Sequence, residues 1–224
     1  MPSESTRFFC SGISANKGAL VFHIRLLFRS VQSGFKFILL FLSVALAACS
    51  HPEAPRVRPA EWAQPVIGSS LTNAYRVSYD VFRSEQPGVG DLPAIKALGV
   101  RSLLSLRKYH TDDTAYAKAG LVLLQHPSVA GAFTEADLLL ALALLRDAPK
   151  PVLVHCWHGS DRTGAVIAAY RVVFQHWTKD QAVDDLTNGG YGFHAQTFPE
   201  IVPLIQSLDV DQLRRQLLPP PNSH

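Results

Sequence analysis

Three cysteines are all that 224 residues contain, and they are not distributed for pairing. Cys10 and Cys49 fall within or at the end of the N-terminal stretch, which leaves Cys156 alone in the globular part. A domain with one thiol has no internal disulfide, so its stability must come from a packed core. A surplus of positive charge is missing as well. The net charge is +3, but Arg7, Lys17, Arg25, Arg29 and Lys36 against Glu4 give the first 48 residues +4, so the remainder carries −1. Without a basic face on the domain itself, nucleic acid is excluded as a partner. A bilayer-spanning run is also absent: the apolar stretch from Phe37 to Ala48 has 12 residues, against the roughly 20 that a transmembrane helix needs. No internal repeat is visible. What is present, 47% hydrophobic and 17% charged residues, is the composition of one globular domain with a real core.

The N-terminal stretch has the order of a targeting segment. Arg25, Arg29 and Lys36 precede the apolar run, and small residues follow it. Leu46-Ala47-Ala48-Cys49 resembles the lipobox of bacterial lipoproteins, in which the cysteine is lipidated and becomes the first mature residue. The resemblance implies a signal peptide over residues 1–48, a lipid anchor on Cys49 and a periplasmic location. Ser50 after the cysteine resembles the pattern sorted to the outer membrane. The run of residues ahead of the apolar core is long for a signal peptide, so translation is expected to start nearer Val21 or Val31. Residues 50–68 hold four prolines and no periodicity, so residues 49–70 are expected to form a flexible tether. The folded domain is expected over 71–218, followed by a disordered tail over 219–224.

Within the domain the apolar pattern alternates between strand and helix. Residues 74–87 predict a pair of short strands, and 91–99 a short helix with Asp91 as N-cap and Gly99 at its end. "VRSLLSL" (100–106), "LVLLQH" (121–126) and "PVLVHC" (151–156) are compact apolar runs that read as buried strands. Thr134 and Asp137 have capping-box spacing at the head of a helix over 134–147. Helices are also expected over 162–177, over 178–190 and near the C-terminus. The fold class is α/β: one domain with a mostly parallel central sheet of four to five strands flanked by helices.

The densest chemistry is "VHCWHGSDRTG", residues 154–164, between a strand and a helix. A strand, a tight glycine-containing loop and a helix make an anion cradle, because the first amides of a helix have no intrahelical partner and its dipole favours negative charge. Gly159 lets the backbone turn so that successive N–H groups point inward. The same field favours the thiolate of Cys156 at the start of the loop. Arg162, after five intervening residues, offers a planar fork for two phosphate oxygens. Thr163 is placed to donate a hydrogen bond to the cysteine sulfur, and His155 to hold the loop through the backbone. Ser160 contributes a further loop amide, and Gly164 shapes the start of the helix.

His155-Cys156, five residues, Arg162-Thr163-Gly164 resembles the H-C-x5-R-[ST]-G signature of cysteine-dependent tyrosine and dual-specificity phosphatases. From about Asn73 to about Leu208 the chain is similar to the small periplasmic bacterial members, through "YRVS", "VFRSEQP", "GVRSLLSLR" and "NGGYG". The resemblance implies a dual-specificity phosphatase-like fold and a phosphoric monoester hydrolase. Cys156 attacks phosphorus, and the phosphate-binding loop runs through Trp157, His158, Gly159, Ser160, Asp161 and Arg162. It also implies an acid on a separate loop, yet the front half of "PSVAGAFTEADL" (127–138) has none. Asp161 is the leading candidate for the acid; Glu135, Asp137, Asp112 and Asp113 are the others. Asp161 can alternatively serve as a structural acceptor for loop amides. Trp157 and His158 are placed at the rim, and Arg107 is expected to pair with a carboxylate. Tyr191 and Phe193 are assigned to capping and packing, whereas His110, His126 and His194 receive no role.

No cofactor and no metal are implied. A zinc reading of His155 and His158 fails because Arg162 would set a cation beside a cation and no further ligand cluster is visible. The Arg-Thr-Gly ending disfavours a sulfurtransferase. "CWHGSDR" contains no lysine to meet additional phosphates, which favours a phosphorylated protein substrate bearing phosphotyrosine, and possible phosphoserine or phosphothreonine, over an inositol phosphate. The alternatives are a phosphoinositide or inositol-phosphate phosphatase, or a catalytically weak phosphate-binding module at the membrane. The protein is expected to act as a monomer.

Overall fold

The computed structural model describes residues 57–218. The signal peptide, the lipidated Cys49, the early tether and the C-terminal tail read from the sequence lie outside the described residues. Six strands form one mixed sheet in the order β1-β2-β3-β6-β4-β5. They are β1 (Gln64–Pro65), β2 (Tyr75–Arg76), β3 (Val81–Ser84), β4 (Ser102–Arg107), β5 (Val122–Ser128) and β6 (Val152–His155). β3, β6, β4 and β5 run parallel, while β1 and β2 extend the sheet antiparallel beyond β3. The sheet thus has more strands than the four to five expected. β1 has two residues, too few to show alternation, and its proline is tolerated because it sits on the edge.

The alternation of the central strands explains the two-sided cover. Val152 and Val154 of β6 join the larger core with Val81 and Leu104, whereas Leu153 between them joins the smaller core with Phe82 and Leu103. Side chains of successive strand residues point to opposite faces, so a continuous apolar run requires cover on both. The smaller core is closed by α1 (Leu92–Ala97) and α2 (Thr114–Lys118), which supply Ile95 and Tyr116. The larger core is closed by α3 (Glu135–Asp147), α4 (Asp161–Phe174), α5 (Lys179–Asn188), α6 (Ile201–Ser207) and α7 (Val210–Leu217). α4 is buried almost all round, as a helix packed between a sheet and other helices must be.

Several ends form as the sequence dictates. Thr134 and Asp137 make the reciprocal capping box of α3, and Thr178 with Gln181 makes another at α5. Asp91 differs: its carboxylate accepts from the Gly88 N–H and the Ser70 hydroxyl, not from an amide of α1. The tether expected through residue 70 is corrected over 57–70. Trp62 and Ala63 are buried there, and Arg58 donates to the carbonyls of Ala63 and Gly189 and to the Tyr191 hydroxyl. Proline content hid this segment, whose hold on the domain comes from distant partners.

β6 lies between β3 and β4, with Ser84, His155 and Ser105 in one row across the three strands. In a parallel sheet the crevice past the carboxyl ends of such strands is where ligands bind. The loop after His155 opens there.

Candidate active site

Three outward ties shape the loop from Cys156 to Arg162. The Gln86 N–H donates to the Trp157 carbonyl at 3.0 Å. Asn73 Nδ2 donates to the His158 carbonyl at 2.8 Å, and buried Arg83 Nη2 to the Gly159 carbonyl at 2.6 Å. In a trans peptide the N–H points opposite to the C=O, so the amides of His158, Gly159 and Ser160 are turned toward the middle of the loop. Gly159 has φ +70°, and a Cβ there would lie 2.4 Å from the Ser84 carbonyl oxygen. Only glycine fits that approach. Ser160 Oγ donates to the Tyr191 carbonyl at 2.7 Å, which fixes the loop to the segment after α5. Gly164 is also required by space, since a Cβ would lie 2.4 Å from Leu186 Cδ1 of α5.

Cys156 sits at the base of this loop, 2% exposed. Arg162 anchors one nitrogen, Nη1, to the Leu106 and Ser128 carbonyls at 3.0 and 2.9 Å, at the ends of β4 and β5. Its Nε is buried without a hydrogen-bond partner among the described residues. A buried N–H left open in this way calls for an acceptor, and a phosphate oxygen supplies one. The hydrogen bond expected from Thr163 to the sulfur is not formed: Thr163 Oγ1 is buried with no partner among the described residues. Trp157 and His158 are exposed at the rim. Cys156, Trp157, His158, Asp161, Arg162 and His194 line a cavity of about 310 Å³ together with Ala130, Thr197 and Phe198.

The acids separate cleanly. Asp113 caps α2 through the Ala115 N–H. Asp137 accepts from Thr134 and is held by His126 Nε2 at 3.0 Å. Asp112 is buried below the loop, bound by His155 Nε2 at 3.0 Å and the Gln86 amide at 2.9 Å. Burial pushes its carboxyl upward, but the hydrogen bond and attraction of His155, joined by Gln86, outweigh burial and hold it below the usual carboxylate range. His155 therefore holds its place through a carboxylate more than through the backbone, where its Nδ1 contact to the Cys156 carbonyl is 3.4 Å. Glu135 is outside the cavity lining, and Asp161 is the one acid in it.

Asp161 is 6% exposed, and its oxygens face the His194 N–H at 2.9 Å and His194 Nδ1 at 3.0 and 3.1 Å. The main-chain amide it accepts from belongs to His194, not to the phosphate loop for whose amides it was weighed as an acceptor. His158, Asp161 and His194 each place one ligating atom within 4.8 Å of the others. Both Asp161 oxygens already face His194 Nδ1, so the trio is described as a hydrogen-bonded pair beside a second ring.

Arg107 also differs from expectation. It stacks on Trp157 with 4.2 Å from guanidinium to ring centroid and has no carboxylate within ion-pair distance among the described residues. Burial, then the neighbouring Arg162 charge, lowers its pKa. Tyr191 packs edge-on against Tyr75 at 4.7 Å and under Arg83 at 3.7 Å, in line with its packing assignment. Asn73, Arg83, Gln86 and His194 have no functional role in the sequence reading. Arg83 alone carried a signal, as a charge inside a short apolar strand.

The tyrosine phosphatase family profile matches residues 71–188, which include the whole loop. A dual specificity protein phosphatase, TpbA of Pseudomonas aeruginosa, is 34% identical over 165 residues, covering 72% of this chain and 73% of that protein. The crystal structure of a cysteine-to-serine variant of P. aeruginosa TpbA in complex with pTyr has a TM-score of 0.62 at 32% identity, covering 72% of this chain and 98% of that one. An inositol diphosphatase of Oryza sativa subsp. japonica is 30% identical over 122 residues, covering 50% of this chain and 54% of that protein. A thiol at the floor of an amide-lined loop, an arginine with an open buried N–H and this shared sequence agree, and the chain belongs to the tyrosine phosphatase family.

Proposed function

We propose that the protein hydrolyses phosphotyrosine on protein substrates, with phosphoserine and phosphothreonine as further substrates, through a phosphocysteine on Cys156. The observation that carries this reading is the open Arg162 Nε beside inward-turned loop amides above the buried thiol. Those donors match the equatorial oxygens of a phosphoryl group, and they are fixed before the substrate arrives. Cys156 attacks phosphorus, Arg162 and the amides hold the spreading charge, and Asp161 belongs to proton delivery. The P. aeruginosa relative seen with pTyr supports the aromatic monoester.

Turnover of p-nitrophenyl phosphate and of a phosphotyrosyl peptide, abolished by Cys156→Ser, is the expected result. A wild-type protein that binds phosphopeptide without turnover from mildly acidic to mildly basic pH would instead be a phosphate-binding module.

A second reading, an inositol-phosphate phosphatase, is favoured by one observation: Arg107 and Lys108 line a neighbouring cavity of about 380 Å³ that shares Trp157 and Arg162. Faster release of phosphate from an inositol polyphosphate than from the phosphotyrosyl peptide would select it.

The location proposed is the periplasm, with Cys49 lipidated and the outer membrane as the destination. The lipobox-like Leu46-Ala47-Ala48-Cys49 supports it. Radiolabelled palmitate should enter the wild-type chain and not Cys49→Ala; labelling that survives the substitution contradicts the anchor.

A further inference from the structure

We propose that His194, held by Asp161, is the proton donor to the leaving group. This rests on the phosphatase reading above. Of the carboxylates weighed from the sequence, Asp112, Asp113 and Asp137 are committed to other partners, and Glu135 does not line the cavity. Asp161 lines it, but its oxygens are already engaged by the main-chain N–H and Nδ1 of one residue, His194. That leaves His194 Nε2 without a hydrogen-bond partner among the described residues. The His194 side chain is 47% exposed on the wall of the cavity that Cys156 floors. In an in-line displacement the leaving oxygen lies on the side of phosphorus opposite the attacking sulfur. Cys156 is 2% exposed and the His194 side chain 47%, so of these two lining residues His194 is the one nearer the solvent-open side.

Imidazole is suited to this work near neutral pH, and a carboxylate on Nδ1 fixes which nitrogen faces the substrate. The charged and titratable groups around His194 are Asp161, the His158 ring at 5.7 Å, and Cys156 and Arg162, which line the same cavity. Phe198 packs edge-on against the His194 ring at 6.5 Å. The steps balance. The Cys156 thiolate pair forms the S–P bond, the P–O bond breaks toward the leaving oxygen, and that oxygen takes the proton from Nε2 of the imidazolium. In the second step neutral Nε2 takes a proton from the attacking water, the P–S bond breaks, and thiolate and imidazolium are restored. Asp161 touches neither substrate nor sulfur in this scheme; it is a positioning residue.

The test is the dependence of kcat/KM on the leaving group in the full chain, for aryl phosphates running from phenyl to dinitrophenyl. His194→Asn can keep an amide on Asp161 but has no proton to give, and His194→Ala serves as a second variant. The expected result is a fall of about 10²-fold or more for phenyl phosphate, with dinitrophenyl phosphate changed little, since that phenolate leaves without help. Asp161→Asn should show a smaller loss with the same leaving-group trend. An equal loss on all substrates, or none, overturns the proposal, as a structural role would give that result. Turnover abolished by EDTA and restored by zinc would make the trio a metal site and also overturn it. Cys156→Ser separates the two levels: residual turnover in that variant, or none in the wild type, refutes the phosphatase reading itself.

Discussion

Asp112 and His155 lie 43 residues apart in sequence and 3.0 Å apart in the fold, with His155 fully buried and the Asp112 side chain 3% exposed. A buried carboxylate without donors would be strongly destabilising, so the pair stands or falls together. The Asp112 carboxyl is held below its ordinary value. In acid the unfolded chain therefore binds a proton on Asp112 before the folded chain does. The stabilisation is fully present above the unfolded value of about 4 and is lost as pH falls through the lower folded value. Urea unfolding of Asp112→Asn should show a loss of about 1.5–3 kcal/mol at neutral pH. It should also show a shallower fall in stability below about pH 4 than the wild type has. An unchanged acid limb contradicts the pairing. Cys156, Arg162 and the loop glycines were legible in the sequence because their spacing is local. Asp112 beneath His155, and His194 beside Asp161, were not. Each meets its partner only through tertiary structure, and neither sits in a periodic pattern.

Elements with local determinants were legible for the same reason. The capping box at α3 and the apolar runs of β4 and β6 need no distant information. α2 has five residues, with Asp113 as its cap, and lies between two apolar runs where periodicity has no room to show. The phosphate loop is the element on which function turns, and Gly159 is where it leans on β3. Replacing it with alanine sets a Cβ 2.4 Å from the Ser84 carbonyl at φ +70°. The backbone must move, since a left-handed residue with a Cβ alone costs about 1–2 kcal/mol. A shift near 1 Å in a positioning element is worth about 10²-fold in rate. Gly159→Ala should lower kcat/KM about 10²-fold while leaving a folded protein with a reduced melting temperature. Wild-type kinetics in that variant would show that the loop's close approach to β3 is dispensable.

On the scale of the molecule, the α/β class and the two-sided sheet followed from the alternation of strand and helix. The short strands β2 and β3 followed too, from the pair read over 74–87, but the edge strand β1 did not, because it has two residues and is held by what it packs against. The segment from residue 57 is joined to the residues that follow α5 through Arg58. Its bonds to Ala63, Gly189 and the Tyr191 hydroxyl measure 2.8, 2.7 and 2.9 Å. Each such bond is worth about 0.5–1.5 kcal/mol net. Arg58→Ala should thus lower stability by about 2 kcal/mol and the melting temperature by about 4–8 °C, with turnover per folded molecule retained. An unchanged melting temperature would mean that the segment is joined to the domain by its apolar contacts alone.

These scales meet in one covalent event at Cys156. Wild-type protein mixed with p-nitrophenyl phosphate, quenched in acid within a turnover and digested, should yield a Cys156 peptide carrying one phosphoryl group by mass spectrometry, and Cys156→Ser should yield none. A phosphoryl group on another residue, or undiminished hydrolysis by Cys156→Ser, would contradict the account.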